Sequence, residues 1–323
     1  MITHRFDQGW GPQYAIKQFE QQLVDQYVSK CHLDTVLINS TWYSQDYHLQ
    51  VMDALTGIKF DQIVLISMID AAIPKKQWYQ EFGCVVREIG YYPGTDFIDF
   101  WALAVDKYFE RPTFDCTDPL TIDTAYMCLN RKPHWHRKKF YNQLVELGIV
   151  GHGLVSLGND HLLPAKALPV DAGHCVLAPN SGSEQYGIPN DIMSLGHTMN
   201  WTRIFLNVVT ETQYDISKSY FVSEKIYKPI LGMKPFLVVA HGTDDWLGQR
   251  GFEPYSADFK DISDLDLSQP DNIAPFLACL CNQDRRYFQH KYLALKSKIM
   301  YNYTHFAEYV QQQKNIVKQG MSC

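Results

Sequence analysis

Ser223, Glu224 and Lys225 sit inside the run 220–239, Y-F-V-S-E-K-I-Y-K-P-I-L-G-M-K-P-F-L-V-V. A serine followed by an acidic residue signals a helix start, because its hydroxyl can accept from an N–H of the first turn. The free N–H groups and partial positive charge of such a start favour phosphate ligands. Glu224 can accept from ribose hydroxyls, and the ammonium of Lys225 can face a diphosphate. The competing reading is an ordinary capped helix carrying a solvated ion pair.

A second chemical cluster occupies 130–139, N-R-K-P-H-W-H-R-K-K. Arginine offers phosphate a bidentate fork and lysine a point charge, so a basic strand-to-helix turn makes an anion pocket. Arg131, Arg137 and Lys138 are the candidates here, with Lys228 beside Lys225 on the later helix. A nucleic-acid patch and a solvated basic helix face are the alternatives. Glu211, expected at the carboxyl end of a strand, can orient a sugar or ribose hydroxyl or can cap a helix. His134 and His136 are expected on different faces of a helix start, an arrangement that suits neither zinc geometry nor a shared ligand. The D-x-D triplet at Asp264 and Asp266 lies in a Ser- and Asp-rich loop and is given no metal role.

These residues need elements to hold them. Residues 35–39, 62–67, 84–90, 126–129, 153–157 and 203–209 read as strands, while 13–30, 48–55 and 135–147 carry helical spacing. A helix is expected from Ser223 to Gly232, followed by a buried strand over 235–239. The aspartates at 96 and 99 open an aromatic helix through Phe100, Trp101 and Tyr108. Alternation of this kind predicts an α/β fold with parallel sheets covered by helices. The stretch 110–124, E-R-P-T-F-D-C-T-D-P-L-T-I-D-T, breaks all periodicity and is the expected linker. Residues 284–318 form a long polar helical pattern with Tyr287, Tyr292, Leu295, Ile299 and Phe306 along one face.

Composition bounds the function classes. A chain of 323 residues, 46% hydrophobic, can bury two cores of ordinary size. A net charge of −6 argues against a broad electrostatic grip on nucleic acid. The eight cysteines form no CxxC pair, which fits a reduced compartment. No apolar run approaches the roughly 20 residues of a membrane span. The start carries no signal-peptide pattern. The expectation is a soluble, cytoplasmic protein.

The run V-V-T-E-T at 208–212, followed by F-V-S-E-K-I-Y-K-P-I-L-G-M-K-P-F, resembles the donor-binding half of GT-B glycosyltransferases, particularly the fucosyltransferase-like and phage or viral enzymes. In the fucosyltransferase family a (T/S)-E-K segment precedes a G-x-x-P turn, and the matching positions here are Ser223, Glu224, Lys225, Gly232 and Pro235. R-G-F-E-P-Y at 250–255 looks like the family's L-x-x-x-G-F segment. The resemblance covers roughly 125–260 and implies two Rossmann-like domains facing a central cleft. It implies that Glu224 holds the donor ribose, Lys225 the phosphates, and Arg137 or Arg131 the family's upstream phosphate-binding arginine.

Retaining GT-B enzymes commonly carry a glutamate pair whose second member lies on this same helix. The position matching the first member is Ile216, with Asp215 only adjacent, so inversion is expected. The base must then come from the N-terminal half, ideally after a strand. Asp70, closing I-V-L-I-S-M-I-D, has that position, and Asp46, Asp96 and Asp99 are weaker candidates; an aspartate after a strand also serves as a turn or helix cap. The expected domains are 1–118 on the acceptor side, 119–284 for the donor, and a helix over 285–323 packing back across both. The expected activity is metal-independent, inverting transfer of a sugar from a nucleotide-diphosphate-sugar to a hydroxyl of a glycan or other acceptor, with no cofactor. Transfer to a hydroxymethylated base in DNA, or non-catalytic nucleotide or glycan binding, are the alternatives.

Overall fold

The computed structural model describes residues 35–39, 62–67, 85–90, 96–97, 99–108, 117–130, 133–157, 195, 198–216 and 222–320. The chain divides into two compact units. The first comprises Met1–Ala104, Tyr186–Ile188 and Val310–Cys323, and the second Val105–Gln185 and Pro189–Tyr309.

In the first unit, β1 (Thr35–Asn39), β2 (Gln62–Ser67), β3 (Val85–Gly90) and β4 (Asp96–Phe97) form a parallel sheet in sequential order. The register pairs Thr35 with Gln62, Gln62 with Val85, and Ile89 with Asp96. Helix α1 (Phe100–Tyr108) follows. Its start is set by the buried Asp99, whose Oδ1 accepts from Ala102 N at 3.0 Å. The backbone N–H of Asp99 donates to Gln313 Oε1 at 2.9 Å. The expected helices at 13–30 and 48–55 lie outside the described residues.

The second unit runs β5 (Thr124–Asn130), α2 (Trp135–Glu146), β6 (Gly153–Leu157), α3 (Thr198–Arg203), β7 (Ile204–Val209), α4 (Glu224–Leu231), β8 (Phe236–Val238), α5 (Thr243–Gln249), α6 (Ile273–Cys281) and the part of α7 (Arg285–Gly320) up to Tyr309, the rest of that helix belonging to the first unit. Its sheet is parallel, in the order β6-β5-β7-β8. β5 and β7 carry near-continuous apolar side chains because helices cover both faces of a parallel sheet. After β6 the chain crosses β5 and adds β7 on its other side. That change of direction opens a crevice at the carboxyl ends of β5 and β7, where open α/β sheets bind ligands.

Two differences from the sequence reading have local causes. Arg203 was expected to open β7, but it closes α3, a helix too short for a helical period to register. The expected linker contains a short 3-10 turn at Pro119–Thr121, with Asp118 accepting from Leu120 N at 2.8 Å; residues 110–116 lie outside the described part. Tyr292, Leu295, Ile299 and Phe306 of α7 are buried, as their spacing predicts. No helix among the described residues is long and apolar enough to cross a membrane.

Candidate functional site

Helix α4 starts where the sequence places it. Ser223 is its N-cap, with extended backbone, and its Oγ accepts from Lys225 N at 3.4 Å. The same hydroxyl donates to Glu211 Oε2 at 2.7 Å, and Ser223 N donates to Glu211 Oε1 at 3.2 Å. Thr212 N adds a bond to Glu211 Oε2 at 2.9 Å. Glu211 is fully buried, so its carboxylate hooks the start of α4 onto the end of β7. Of the two roles open to it, this geometry is the capping one.

The end of β7 is also tied to α2. His136 Nε2 lies 2.8 Å from the Glu211 carbonyl, which fixes the Nε2–H tautomer as the donor. Burial lowers the pKa of His136, helped by the neighbouring Arg137 charge and partly offset by this bond. Arg137 is 3% exposed and gives Nη2 to the carbonyls of Thr210 (3.0 Å) and Glu211 (3.2 Å). Thr210 Oγ1 in turn donates to Asn130 Oδ1 at the end of β5. These contacts lock the carboxyl ends of β5 and β7 to the starts of both following helices.

Against this frame Lys225 Nζ donates to Ser223 Oγ at 3.0 Å and to Glu224 Oε1 at 2.7 Å. Glu224 is 3% exposed. Burial works to raise its pKa, yet the ammonium groups of Lys225 and Lys228 and its hydrogen bonds prevail, and it stays below the ordinary glutamate value. Lys225 and Lys228 line an open hollow. Its other walls are Met127 and Leu129 of β5, Asn207, Val208 and Val209 of β7, Thr210, Trp201 and Leu195. The hollow lies against β5 and β7 at the switch point, and its lining combines apolar side chains, several of them part of the core cluster around Met127 and Trp201, with two lysines of α4. That combination suits an anion attached to a flatter, less polar body.

Of the sequence candidates, Lys225 and Lys228 face the hollow, while Ser223, Glu211 and Arg137 brace it. Lys138 is exposed on α2. Arg131, Asp70 and Asp46 lie outside the described residues. Of the weaker base candidates, Asp99 caps α1, and Asp96 stands in β4. Asp264 and Asp266 are exposed, and Asp266 Oδ1 accepts from Ser268 N and Oγ within its own turn. Among the described residues no three His, Cys, Asp or Glu side chains gather as a metal site would require. The rings of His134 and His136 lie parallel with centroids 6.0 Å apart, not on separate faces. His134 precedes the helix as its N-cap, so helical spacing does not govern it.

The sequence reading missed Trp201, Asn207, Thr210, Met127 and Leu129. Asn207 alone carried a signal, a polar residue inside the buried run I-F-L-N-V-V. Trp201 matters twice. It walls the hollow, and it packs so closely on Gly232 that a Cβ there would stand 2.2 Å from its Cε3.

The chain matches no family model and no curated protein. Among solved structures it is similar to a crystal structure of an alpha1,3-fucosyltransferase with GDP, at a TM-score of 0.39 and 12% identity, over 92% of this chain and 97% of that one.

Proposed function

We propose that the second unit binds the nucleotide-diphosphate-sugar donor of a glycosyltransferase that moves one sugar, with inversion and without a metal, to a hydroxyl of a glycan or other acceptor. The observation that carries this reading is the pair Lys225 and Lys228 in an apolar hollow at the β5–β7 switch point. The S-E-K…G-x-x-P resemblance supports it independently.

In this reading Lys225 and Lys228 face the diphosphate, with Arg131 and Lys138 as further cations from the basic turn. Glu224, whose Oε1 is engaged by Lys225, is the residue the resemblance assigns to the donor ribose. Glu211 and Arg137 hold the frame. The acceptor oxygen attacks the anomeric carbon as the bond to the diphosphate breaks. The hydroxyl proton passes to a base in the first unit, for which Asp70 is our choice. The negative charge that develops on the departing diphosphate is met by ammonium groups already in position, which is where preorganised electrostatics lowers a barrier. Lys225 and Lys228, with Arg131 and Lys138, are the cations this reading sets against that charge in place of a divalent ion.

A panel of nucleotide-sugars incubated with the full chain in EDTA tests this. One donor is expected to release its nucleoside diphosphate slowly in water, and Asp70→Asn is expected to abolish transfer to acceptor while leaving donor affinity unchanged. If no donor is hydrolysed and none stabilises the fold, the enzyme reading is wrong. A strict requirement for divalent metal would remove the metal-free mechanism, and retained transfer in Asp70→Asn would move the base elsewhere.

A further inference from the structure

Trp135 opens α2 with 63% of its surface exposed. Indoles in folds are mostly buried, so an exposed ring that is also fixed in place calls for a reason. Two neighbouring rings pack against this one. Tyr214 meets it at 5.0 Å and 63°, and His136 at 5.5 Å and 81°. Tyr214 is itself anchored, its hydroxyl donating to Asp271 Oδ1 at 3.1 Å and the ring of His241 lying edge-on at 5.1 Å. Lys139, one turn along α2 from Trp135, gives Nζ to the same Asp271 Oδ1 at 2.8 Å. Both of these bonds land on Oδ1, and the Asp271 side chain is 60% exposed. The Lys139 bond, set against slight burial, lowers the pKa of Asp271 and keeps it ionised.

We propose that this ledge binds a saccharide, the exposed indole of Trp135 stacking on the C–H face of a pyranose ring while the exposed Asp271 carboxylate accepts from one of its hydroxyls. A pyranose presents an apolar face and a rim of O–H donors, and the ledge presents the matching pair, an indole face and an acceptor-only carboxylate. A nucleic-acid strand is a poorer match, because the exposed Asp271 carboxylate beside the ring repels its phosphates. The ledge stands without the donor reading; calling its saccharide the acceptor chain rests on that reading.

Saturation-transfer NMR of the full chain with a panel of neutral oligosaccharides tests the ledge. At least one is expected to bind, Trp135→Ala to weaken it by about tenfold or more, and Trp135→Phe to restore most of the binding because a ring face returns. Asp271→Asn is expected to weaken it less. Trp135 is exposed, so its variants are expected to melt as the wild type does. Nucleoside diphosphate binding, followed in parallel, is expected to be unchanged in Trp135→Ala, which separates failure of the ledge from failure of the donor site. No saccharide bound, or equal binding by Trp135→Ala, overturns the proposal. Loss of nucleotide or oligonucleotide binding in that variant in place of saccharide binding would make the ledge a base platform and overturn it as well.

Discussion

A carboxylate buried to 3% exposure can remain ionised only if neighbouring charge outweighs its desolvation, and Glu224 has that from Lys225 and Lys228. The balance has a pH signature. The folded-state pKa lies below the ordinary value of 4.5, so the group adds stability above that value, and the contribution is lost as pH falls through the folded pKa. Urea midpoints measured between about pH 6 and pH 3 are expected to fall more steeply for the wild type than for Glu224→Gln. Coincident slopes would mean that Glu224 is not held as an anion. The Ser-Glu-Lys helix start was legible because capping is local chemistry. The role of Glu211 was open between two readings, since a carboxylate at a strand end looks the same whether its oxygens await a ligand or, as here, accept from Ser223 and Thr212.

Helix α4 owes its placement to the turn that ends it. Gly232 has φ −75, a backbone open to any residue, so the glycine is required by the indole of Trp201 rather than by conformation. Met233 takes the left-handed turn instead, at φ 50. Tyr292 of α7 secures it with a hydroxyl bond to the Met233 carbonyl at 2.9 Å, and Lys234 lays its ammonium 4.7 Å over the same ring. Gly232→Ala is therefore expected to cost about 1–3 kcal/mol and several degrees in Tm, because Trp201 must move. Gly248→Ala in α5, where a Cβ meets nothing within 4 Å, is expected to be neutral or stabilising by up to about 1 kcal/mol. Equal melting of both variants would show that Trp201 yields freely. Strands β1, β2 and β6 fall where their β-branched and apolar runs predict. Helix α3 escaped because six residues span too few turns for a helical period to register, and its partner Gly232 lies far along the chain.

At the scale of the molecule, parallel strands and a long final helix could be read from alternation and spacing. Strand order could not, because nothing in the run β5, β6, β7 states on which side of β5 the chain returns. That return creates the crevice, so the sequence named Lys225 and Lys228 without saying what else would surround them. Net charge misleads in the same way: −6 over the chain coexists with two ammonium groups in one hollow. The central claim is that this hollow takes a diphosphate, and calorimetric titration of nucleoside diphosphates into the full chain, at low and moderate salt, tests it most directly. The account predicts binding by at least one diphosphate, weakening as salt screens the lysines. It predicts at least about tenfold weaker binding of the matching nucleoside, and loss of diphosphate binding in the Lys225→Ala/Lys228→Ala double variant. A nucleoside that binds as tightly as its diphosphate, or a double variant that binds as the wild type does, would contradict it.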